Sequence, residues 1–401
     1  MDPIRNPYTP GAGTRPGELA GRDEEIDNFK ILLARLRGGR AEQSQIITGP
    51  RGVGKTVLLN TFEDLAEGAG YLTVFRELTH ETSLPDLLAK DTQRLLRDLK
   101  LSVKLADAVR TGLSTLTAFK LTDPNGFELS VDLKKLQQQH LTDDLIELFM
   151  ALGRAAQAKK VGIAFFLDEI QFIKQHEFRA LISALHRAMQ KQLPLTLAAA
   201  GLPQIPRLGG EARSYAERLF RFPRIGALDE PAARAALTLP AEREGAAYDD
   251  NAIGRALELT GGYPFYLQEF GKHIWNLAPA TPITRSDVDH AAPRAEESLD
   301  RGIYEVRIQR ATVKERRYLR AMAELGPGPY KVGAIAKAMG STTTALSTVR
   351  QKLLDRGLIY ATEDYGHVEF TVPRCDEFMR RHMPFKPAAP RTRRPRRTPT
   401  P

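Results

Sequence analysis

The chain contains the run Gly49-Pro50-Arg51-Gly52-Val53-Gly54-Lys55-Thr56. It matches the pattern G-x-x-x-x-G-K-[ST], and the residues just before it, 44–48, have the composition of a strand. Glycines let the backbone curl until its N–H groups point at phosphate oxygens, and the start of the following helix adds the positive end of its dipole. The run therefore predicts a phosphate-binding loop, or P-loop, between a strand and a helix. The alternative is a chance match.

The loop assigns individual roles in binding a nucleotide. We expect Lys55 to reach the β and γ phosphates and the Thr56 hydroxyl to bind Mg²⁺. The predicted ligands are therefore ATP or ADP together with Mg²⁺. The predicted nucleotide contacts in this loop are Gly49, Pro50, Arg51, Gly52, Val53, Gly54, Lys55, Thr56 and Val57.

A second motif lies more than a hundred residues further along. Residues 161–167 form a continuous apolar run, which is typical of a central parallel strand buried on both faces, and it ends in Asp168-Glu169. We predict that Asp168 holds Mg²⁺ through water and that Glu169 orients the water that attacks the terminal phosphate. The Asp168-Glu169 pair after this strand is a Walker B motif, and the P-loop is the matching Walker A motif. Together they predict hydrolysis of ATP to ADP and phosphate, with Lys55 and Glu169 as catalytic residues.

Predicted strands alternate with helices, which favours an α/β fold: a P-loop NTPase parallel sheet flanked by helices, with a small helical lid and a C-terminal winged helix-turn-helix. The five predicted strands are 44–48, 71–75, 161–167, 195–200 and 222–225. A β-hairpin is predicted at 116–131 within a mostly helical insert. The predicted division of the chain is a flexible N-terminus at 1–18, an ATPase core at 19–228 with the insert at about 84–160, a helical lid at 229–300, a winged helix at 311–385 and a disordered basic tail at 386–401.

Composition excludes several classes of protein. Cys375 is the one cysteine, which rules out an internal disulfide and fits a reducing compartment. The Pro/Gly-rich start has no apolar segment of a signal peptide, and no apolar run approaches the roughly 18 residues that cross a membrane. We therefore expect a cytoplasmic protein that does not enter a membrane.

The net charge of +9 is concentrated at the C-terminal end. Residues 386–401 hold six basic side chains and no acid, residues 311–385 hold 12 basic and 8 acidic side chains, and the rest is almost neutral. Such a tail can bind double-stranded DNA or an acidic surface electrostatically. The alternative is a solubilising tail without a partner.

The third helix of the C-terminal unit carries the predicted DNA contacts. Its apolar stripe faces inward, and the outward residues are Thr343, Ser347, Arg350 and Gln351, which can reach phosphates and base edges. Glu363 and Asp364 at the wing tip would instead repel phosphate. Contact with an unidentified protein partner therefore remains the alternative use of this unit.

Several motifs together resemble bacterial AAA+ ATPases of the origin-recognition-complex-like type, over roughly residues 15–380. The run Gly262-Tyr263-Pro264 also resembles the lid motif of STAND signalling ATPases. The motifs are Gly21-Arg22-Asp23-Glu24-Glu25, the P-loop, Phe166-Leu167-Asp168-Glu169-Ile170-Gln171, Ser214-Tyr215-Ala216-Glu217-Arg218-Leu219-Phe220 and Gly261-Gly262-Tyr263-Pro264-Phe265.

The resemblance implies a cycle between ATP and ADP states, with a homo-oligomer in the ATP state. It implies that Pro264 lies near the nucleotide. Arg218 stands where relatives carry an arginine finger, a catalytic charge supplied across a subunit contact; an ordinary surface arginine is the alternative.

Two departures limit what carries over. Residues 198–202 are all apolar or glycine where relatives place a polar sensor, which leaves Gln204 as the first candidate. The lid also lacks a clear sensor arginine. We therefore expect a slow nucleotide-dependent switch that associates with DNA; the alternative is a STAND-like scaffold that holds nucleotide tightly and binds protein through its winged helix.

Overall fold

The computed structural model describes residues 1–99, 103–121 and 131–385. The chain divides into two compact units, Met1–Ala292 and Pro293–Pro401. Among the described helices, none combines the length and the apolar character that crossing a membrane requires. The predicted basic tail at 386–401 lies outside the described residues.

The first unit is built on a five-stranded parallel sheet in the order β2-β3-β4-β1-β5. The strands are β1 Ser44–Thr48, β2 Tyr71–Glu77, β3 Gly162–Asp168, β4 Leu195–Gly201 and β5 Phe220–Arg221. Because the strands are parallel, they all end at the same side of the sheet, which we call the carboxyl edge. This confirms the predicted P-loop NTPase sheet, and both signature motifs lie at its carboxyl edge.

The last strand begins two residues before the predicted range of 222–225. Phe220 and Arg221 pair with β1, and after an interruption a single bridge joins Thr48 to Arg224. The interruption follows from Pro223, which has no N–H to donate to the ladder. Its carbonyl still accepts a hydrogen bond of 2.8 Å from the amide of Thr48.

Helices cover both faces of the sheet. Phe165 and Phe166 are neighbours on β3, so they point to opposite faces. Phe166 lies edge-on to Phe29 of the first helix at 6.1 Å between ring centroids, and Phe165 stacks on Phe149 of the fifth at 5.3 Å. The helices up to β5 are α1 Asp23–Arg37, α2 Lys55–Gly68, α3 Leu84–Leu99, α4 Val103–Leu121, α5 Val131–Ala158, α6 Gln175–Gln190, α7 Ile205–Ala212 and α8 Ala216–Leu219.

The predicted hairpin at 116–131 is wrong in its first strand, because residues 116–121 continue α4. Its turn and most of its second strand lie outside the described residues. Val109 and Leu113, one helical turn apart, are buried in the core that α5 shares, and a Cβ added to Gly112 would lie 3.1 Å from the Cα of Leu148. The close packing of α4 against α5 lets α4 continue through residues whose alternating pattern, taken alone, favours a strand.

Four helices occupy the predicted lid range of 229–300. Asp229 and Asp249 cap the first two by accepting hydrogen bonds from backbone amides, and Pro264 begins the third. The helices are α9 Glu230–Arg243, α10 Asp250–Thr260, α11 Pro264–Leu277 and α12 Arg285–Leu299.

The first eighteen residues, predicted to be flexible, instead pack against α9 and α11. The ring of Tyr8 is buried, its hydroxyl donates to the carbonyl of Leu237, and the indole N–H of Trp275 donates to the Asp2 carbonyl at 2.8 Å. A Cβ added to Gly271 would lie 2.6 Å from the Tyr8 ring, so a larger residue at this position on α11 would displace the ring. The prediction failed because one aromatic side chain can anchor a segment that has no periodicity.

The second unit contains helices and a three-stranded antiparallel sheet in the order β6-β8-β7. A π-helical turn, Asp300–Glu305, precedes them. Thr312 and Glu315 form a reciprocal capping box at the start of α14. The elements are α13 Val306–Gln309, α14 Val313–Glu324, β6 Tyr330–Lys331, α15 Val332–Ala338, α16 Ser347–Asp355, β7 Ile359–Ala361, β8 His367–Phe370 and α17 Cys375–His382.

The third helix of this unit was expected at 342–355, and α16 begins only at Ser347. Turns precede it, in which the Thr342 hydroxyl accepts a hydrogen bond from the amide of Ala345 at 3.2 Å. Threonine hydroxyls compete in this way with helical hydrogen bonds. Three helices followed by a β-ribbon are the elements that a winged helix requires, and the assignment itself stays a prediction.

Candidate nucleotide site

The P-loop joins the end of β1 to the start of α2. Gly52 and Gly54 have φ of +81° and +91°, values that glycine adopts without strain, and a Cβ on Gly49 would lie 2.3 Å from the Ile225 carbonyl oxygen. The sequence therefore fits this backbone at each of these glycines. The predicted nucleotide contacts Gly49, Pro50, Arg51, Gly52, Val53, Gly54, Lys55, Thr56 and Val57 lie on the loop and the first turn of α2.

Lys55 is held inside the loop. Its side chain is buried, and its ammonium donates hydrogen bonds to the carbonyls of Gly49 at 2.9 Å and Pro50 at 2.6 Å. These bonds keep a full positive charge at the amino end of α2, where the helix dipole also favours an anion.

Thr56 and Asp168, 112 residues apart in sequence, meet at the carboxyl edge. The threonine hydroxyl donates to the Asp168 carboxylate at 2.6 Å, and the other carboxylate oxygen accepts the amide of Glu169 at 2.8 Å. Asp168 is 4% exposed, and burial raises its pKa even though the bonds from Thr56 and Glu169 oppose the rise.

These two oxygen ligands fit Mg²⁺. Magnesium prefers one or two protein oxygens and takes its other ligands from water and phosphate. The described residues hold no cluster of three or more His, Cys, Asp or Glu that would make a complete protein cage for a metal. Thr56 and Asp168 are therefore the residues that would hold the ion.

Glu169 follows in an uncommon conformation, with φ of +53°. Its carboxylate accepts from both terminal nitrogens of the Arg51 guanidinium, at 2.8 and 3.4 Å, and from the amide nitrogen of Gln171. The Arg51 and Glu169 side chains are each 20% exposed. The predicted water-orienting carboxylate is thus bound by two partners.

Gln171 connects Glu169 to the end of β4, a role that no sequence pattern predicted. Its amide oxygen accepts the N–H of Leu202 at 3.1 Å. The expected sensor, Gln204, has a buried amide oxygen without a hydrogen-bond partner among the described residues. The signal for Gln171 was its position two residues after the Walker B glutamate.

The lid contacts the P-loop directly. The Phe265 amide donates to the Gly52 carbonyl at 3.1 Å, and the Tyr263 hydroxyl donates to the Arg51 carbonyl at 3.2 Å. Pro264 lies between these two contacts and starts α11. The structure therefore places the predicted lid proline beside the loop.

Arg218 is not brought together with this site. It is exposed on α8, just before β5, whose Phe220 pairs with Ser44 at the amino end of β1. The five residues of β1 separate this end from the P-loop by about 13 Å. A catalytic role for Arg218 at the P-loop of its own chain does not fit this placement; the role across a subunit contact stays a prediction.

The predicted DNA contacts lie on α16 and the turn before it. Thr343 and Gln351 are exposed, the Ser347 hydroxyl donates to the Thr344 carbonyl at 2.7 Å, and Gln351 donates to Asp355 at 2.8 Å. Arg350 is half-buried.

The wing loop, residues 362–366 between β7 and β8, differs in character from this helix. It exposes Glu363 and Asp364, and the Tyr365 side chain beside them is 98% exposed.

Comparisons with known proteins agree with this architecture. Residues 18–198 match the AAA ATPase domain family, and residues 301–379 match a domain of unknown function, DUF8462. No curated protein matches the sequence.

Solved structures with a similar fold include the Walker-type ATPase PABY2304 of Pyrococcus abyssi, with a TM-score of 0.56 and 17% identity over 92% of this chain and 97% of that one. The Aeropyrum pernix Orc1 protein in complex with DNA (0.43, 17%, 92% and 94%) and the Thermotoga maritima RuvB Holliday junction branch migration motor (0.45, 15%, 92% and 99%) are more distant. The chain therefore has the P-loop NTPase fold, with an AAA ATPase domain matched over residues 18–198.

Proposed function

We propose that the protein is a nucleotide-dependent AAA+ switch that binds ATP or ADP with Mg²⁺, hydrolyses ATP slowly and associates with DNA through its C-terminal unit. The observation that carries the ATPase part is the meeting of Thr56 with Asp168 and of Arg51 with Glu169 at one edge of the sheet. A P-loop without these carboxylates would bind a nucleotide but would lack groups to bind the metal and orient water.

Each residue has a defined task in this proposal. Backbone N–H groups of the loop and the Lys55 ammonium bind phosphate oxygens, and Thr56 and Asp168 hold the metal. A bound Mg²⁺ neutralises charge on the β and γ phosphates. Glu169 orients the attacking water once its carboxylate is free to do so.

Slow turnover is supported by three features. Glu169 is bound by Arg51 and Gln171, and residues 198–202 at the end of β4 are buried and apolar or glycine. Arg218 would complete a site only in a neighbouring subunit, so we propose a homo-oligomer in the ATP state. Each of these features would slow hydrolysis without preventing the nucleotide from binding.

Phosphate release and nucleotide binding, measured in parallel, test the ATPase proposal. We expect Lys55→Ala to lose binding and release together. We expect Glu169→Gln to keep binding and lower release by about a hundredfold or more, since it removes the group that orients water. Lys191→Ala, which changes an exposed lysine after α6, is the matched control. Unchanged phosphate release in both site variants would contradict the proposal.

The DNA part is supported by the excess of basic residues in the C-terminal unit and the tail. Binding to a double-stranded DNA fragment, measured at several salt concentrations, tests it. Counterion release predicts an affinity that falls steeply with salt, and a shallower slope after removal of residues 386–401 together with Arg350→Ala. A DNA affinity that does not depend on salt concentration and is unchanged in the altered protein contradicts DNA association.

A second function, a STAND-like scaffold that binds a protein partner, is favoured by two observations. The lid is hydrogen-bonded to the P-loop through Tyr263 and Phe265, and the wing loop is acidic with an exposed Tyr365. Such a protein would purify with nucleotide bound and change its mass in solution between ATP and ADP. Protein that emerges without nucleotide and stays monomeric in both would exclude this alternative.

We also propose a cytoplasmic location. Its support is the single cysteine, Cys375, which is buried and cannot form an internal disulfide. Fractionation of cells that express the full chain tests this, and recovery in an oxidising compartment contradicts it.

A further inference from the structure

Arg51 is the point at which three parts of the site meet. Its guanidinium binds the Glu169 carboxylate, its carbonyl accepts the Tyr263 hydroxyl from the lid, and its backbone belongs to the P-loop. The adjacent carbonyl, that of Gly52, accepts the amide of Phe265. The backbone is therefore held at two successive carbonyls, those of Arg51 and Gly52, and the Arg51 side chain is the part that can change partner.

The chemistry of the guanidinium allows such a change. Its planar fork binds a carboxylate or a phosphate through two parallel N–H groups. In this structure the fork is used by Glu169, with one short bond of 2.8 Å and one longer bond of 3.4 Å. The Nε of Arg51 is buried and has no hydrogen-bond partner among the described residues. An anion that engaged this nitrogen and one terminal nitrogen would gain a bond that Glu169 does not make.

A terminal phosphate bound at the P-loop would therefore compete with Glu169 for one cation. Arg51 lies in the loop whose backbone N–H groups are expected to face the phosphates. Its guanidinium and the Lys55 ammonium therefore extend from the same short segment of the chain. A diphosphate lacks the phosphoryl group that would compete, so the Arg51–Glu169 pair would persist beside it. The competition would then distinguish the two nucleotides.

We propose that Arg51 senses the terminal phosphate by exchanging its partner, leaving the Glu169 carboxylate for the γ-phosphate of a nucleoside triphosphate. The exchange releases the Glu169 carboxylate from Arg51, leaves it bound to Gln171, and so lets it orient water only when a triphosphate is bound. Arg51 is thus a specificity-determining residue, and the inference rests on the proposed ATPase function.

A double-mutant cycle in nucleotide affinity tests this without relying on turnover. The full chain is titrated with ADP and with a non-hydrolysable ATP analogue, each with Mg²⁺, in the wild type, Arg51→Gln, Glu169→Gln and the double variant. Arg51→Gln should weaken triphosphate binding about tenfold, the value of a charged hydrogen bond, and leave ADP binding unchanged. Glu169→Gln should strengthen triphosphate binding several-fold because Arg51 no longer has a charged competitor.

The decisive comparison is the effect of Glu169→Gln in the Arg51→Gln background. We expect the gain to disappear there, since no guanidinium remains to be released. Arg51→Lys, which keeps the charge but lacks the fork, should fall between the wild type and Arg51→Gln. Arg40→Gln removes an exposed arginine before β1 and serves as the control.

Three outcomes would overturn the inference. A full gain from Glu169→Gln in the Arg51→Gln background would mean that the carboxylate acts only by repelling phosphate. Equal loss of both nucleotides in Arg51→Gln would mean a structural role, and no loss at all would mean that Arg51 does not contact the phosphate. A wild-type chain that binds neither nucleotide would overturn the proposed function itself, which is a distinguishable result.

Discussion

The carboxyl edge of the parallel sheet and the surface of α16 differ in the partners of their polar side chains. At the carboxyl edge, Thr56 bonds Asp168 and Arg51 bonds Glu169, so residues more than a hundred positions apart orient each other. On α16, Ser347 and Gln351 bond to groups three or four residues away. The first set of bonds forms only when the fold brings distant residues together, whereas the second set forms wherever the local chain is helical.

Burial strengthens this contrast. Asp168 is 4% exposed, and keeping a carboxylate there costs free energy that a surface position would not. A buried carboxylate that lowers stability in this way is a candidate for a chemical role. No comparable cost attaches to the exposed Thr343 or Gln351, and their assignment to DNA therefore depends only on their exposure and their hydrogen-bonding groups.

The largest effect is expected from Asp168→Asn. The amide cannot supply the anionic oxygen that Mg²⁺ prefers, so Mg²⁺-dependent phosphate release should fall about a hundredfold or more. The same change should raise the free energy of unfolding by about 1 kcal/mol, because it removes a buried charge and keeps the shape of the side chain. Phosphate release and thermal unfolding measure the two effects.

The pH dependence of that stability gain provides a check. Burial raises the pKa of Asp168 in the folded state, so its protonated form is favoured on folding at low pH and the advantage is lost as pH rises through the folded pKa. The variant should therefore gain most near neutral pH and little in acid. Equal gains across the pH range would show that the carboxylate is not destabilised by burial. Asp107→Asn, which changes an exposed aspartate on α4, is the control.

A moderate effect is expected from reversing the wing charges. Glu363→Lys together with Asp364→Lys replaces two exposed carboxylates by cations, and DNA affinity should rise about tenfold at low salt with a steeper salt dependence. Binding to a double-stranded fragment measures it. The same double change at Glu296 and Glu297, which belong to α12 and not to the wing loop, controls for net charge, and an equal gain there would mean that the wing loop does not approach DNA.

The smallest effect is expected from Tyr8→Phe. The change removes the hydroxyl that donates to the Leu237 carbonyl and keeps the buried ring, so the free energy of unfolding should fall by about 1 kcal/mol. Denaturant unfolding measures it. Tyr365→Phe is the matched control because that side chain is 98% exposed, and equal effects would mean that the Tyr8 hydroxyl contributes nothing.

The sequence predicted the sheet and the P-loop because both depend on short-range patterns. The apolar run that ends in Asp168, and the glycines before Lys55, each determine local structure. The link from Gln171 to the end of β4 was missed because it depends on how two strand ends are placed in space. The hairpin was wrong because packing of Gly112 against Leu148 continues a helix through residues whose own alternation favours a strand.

The docked N-terminal segment gives the protein a built-in optical probe. Trp275 is the single tryptophan of the chain, and its indole N–H donates to the Asp2 carbonyl. Indole emission responds to loss of such a bond and to entry of water, so fluorescence excited selectively in tryptophan reports whether this segment is seated on α11. Since α11 begins at Pro264 beside the P-loop, a nucleotide titration followed by this signal would reveal movement of the helix without any added label.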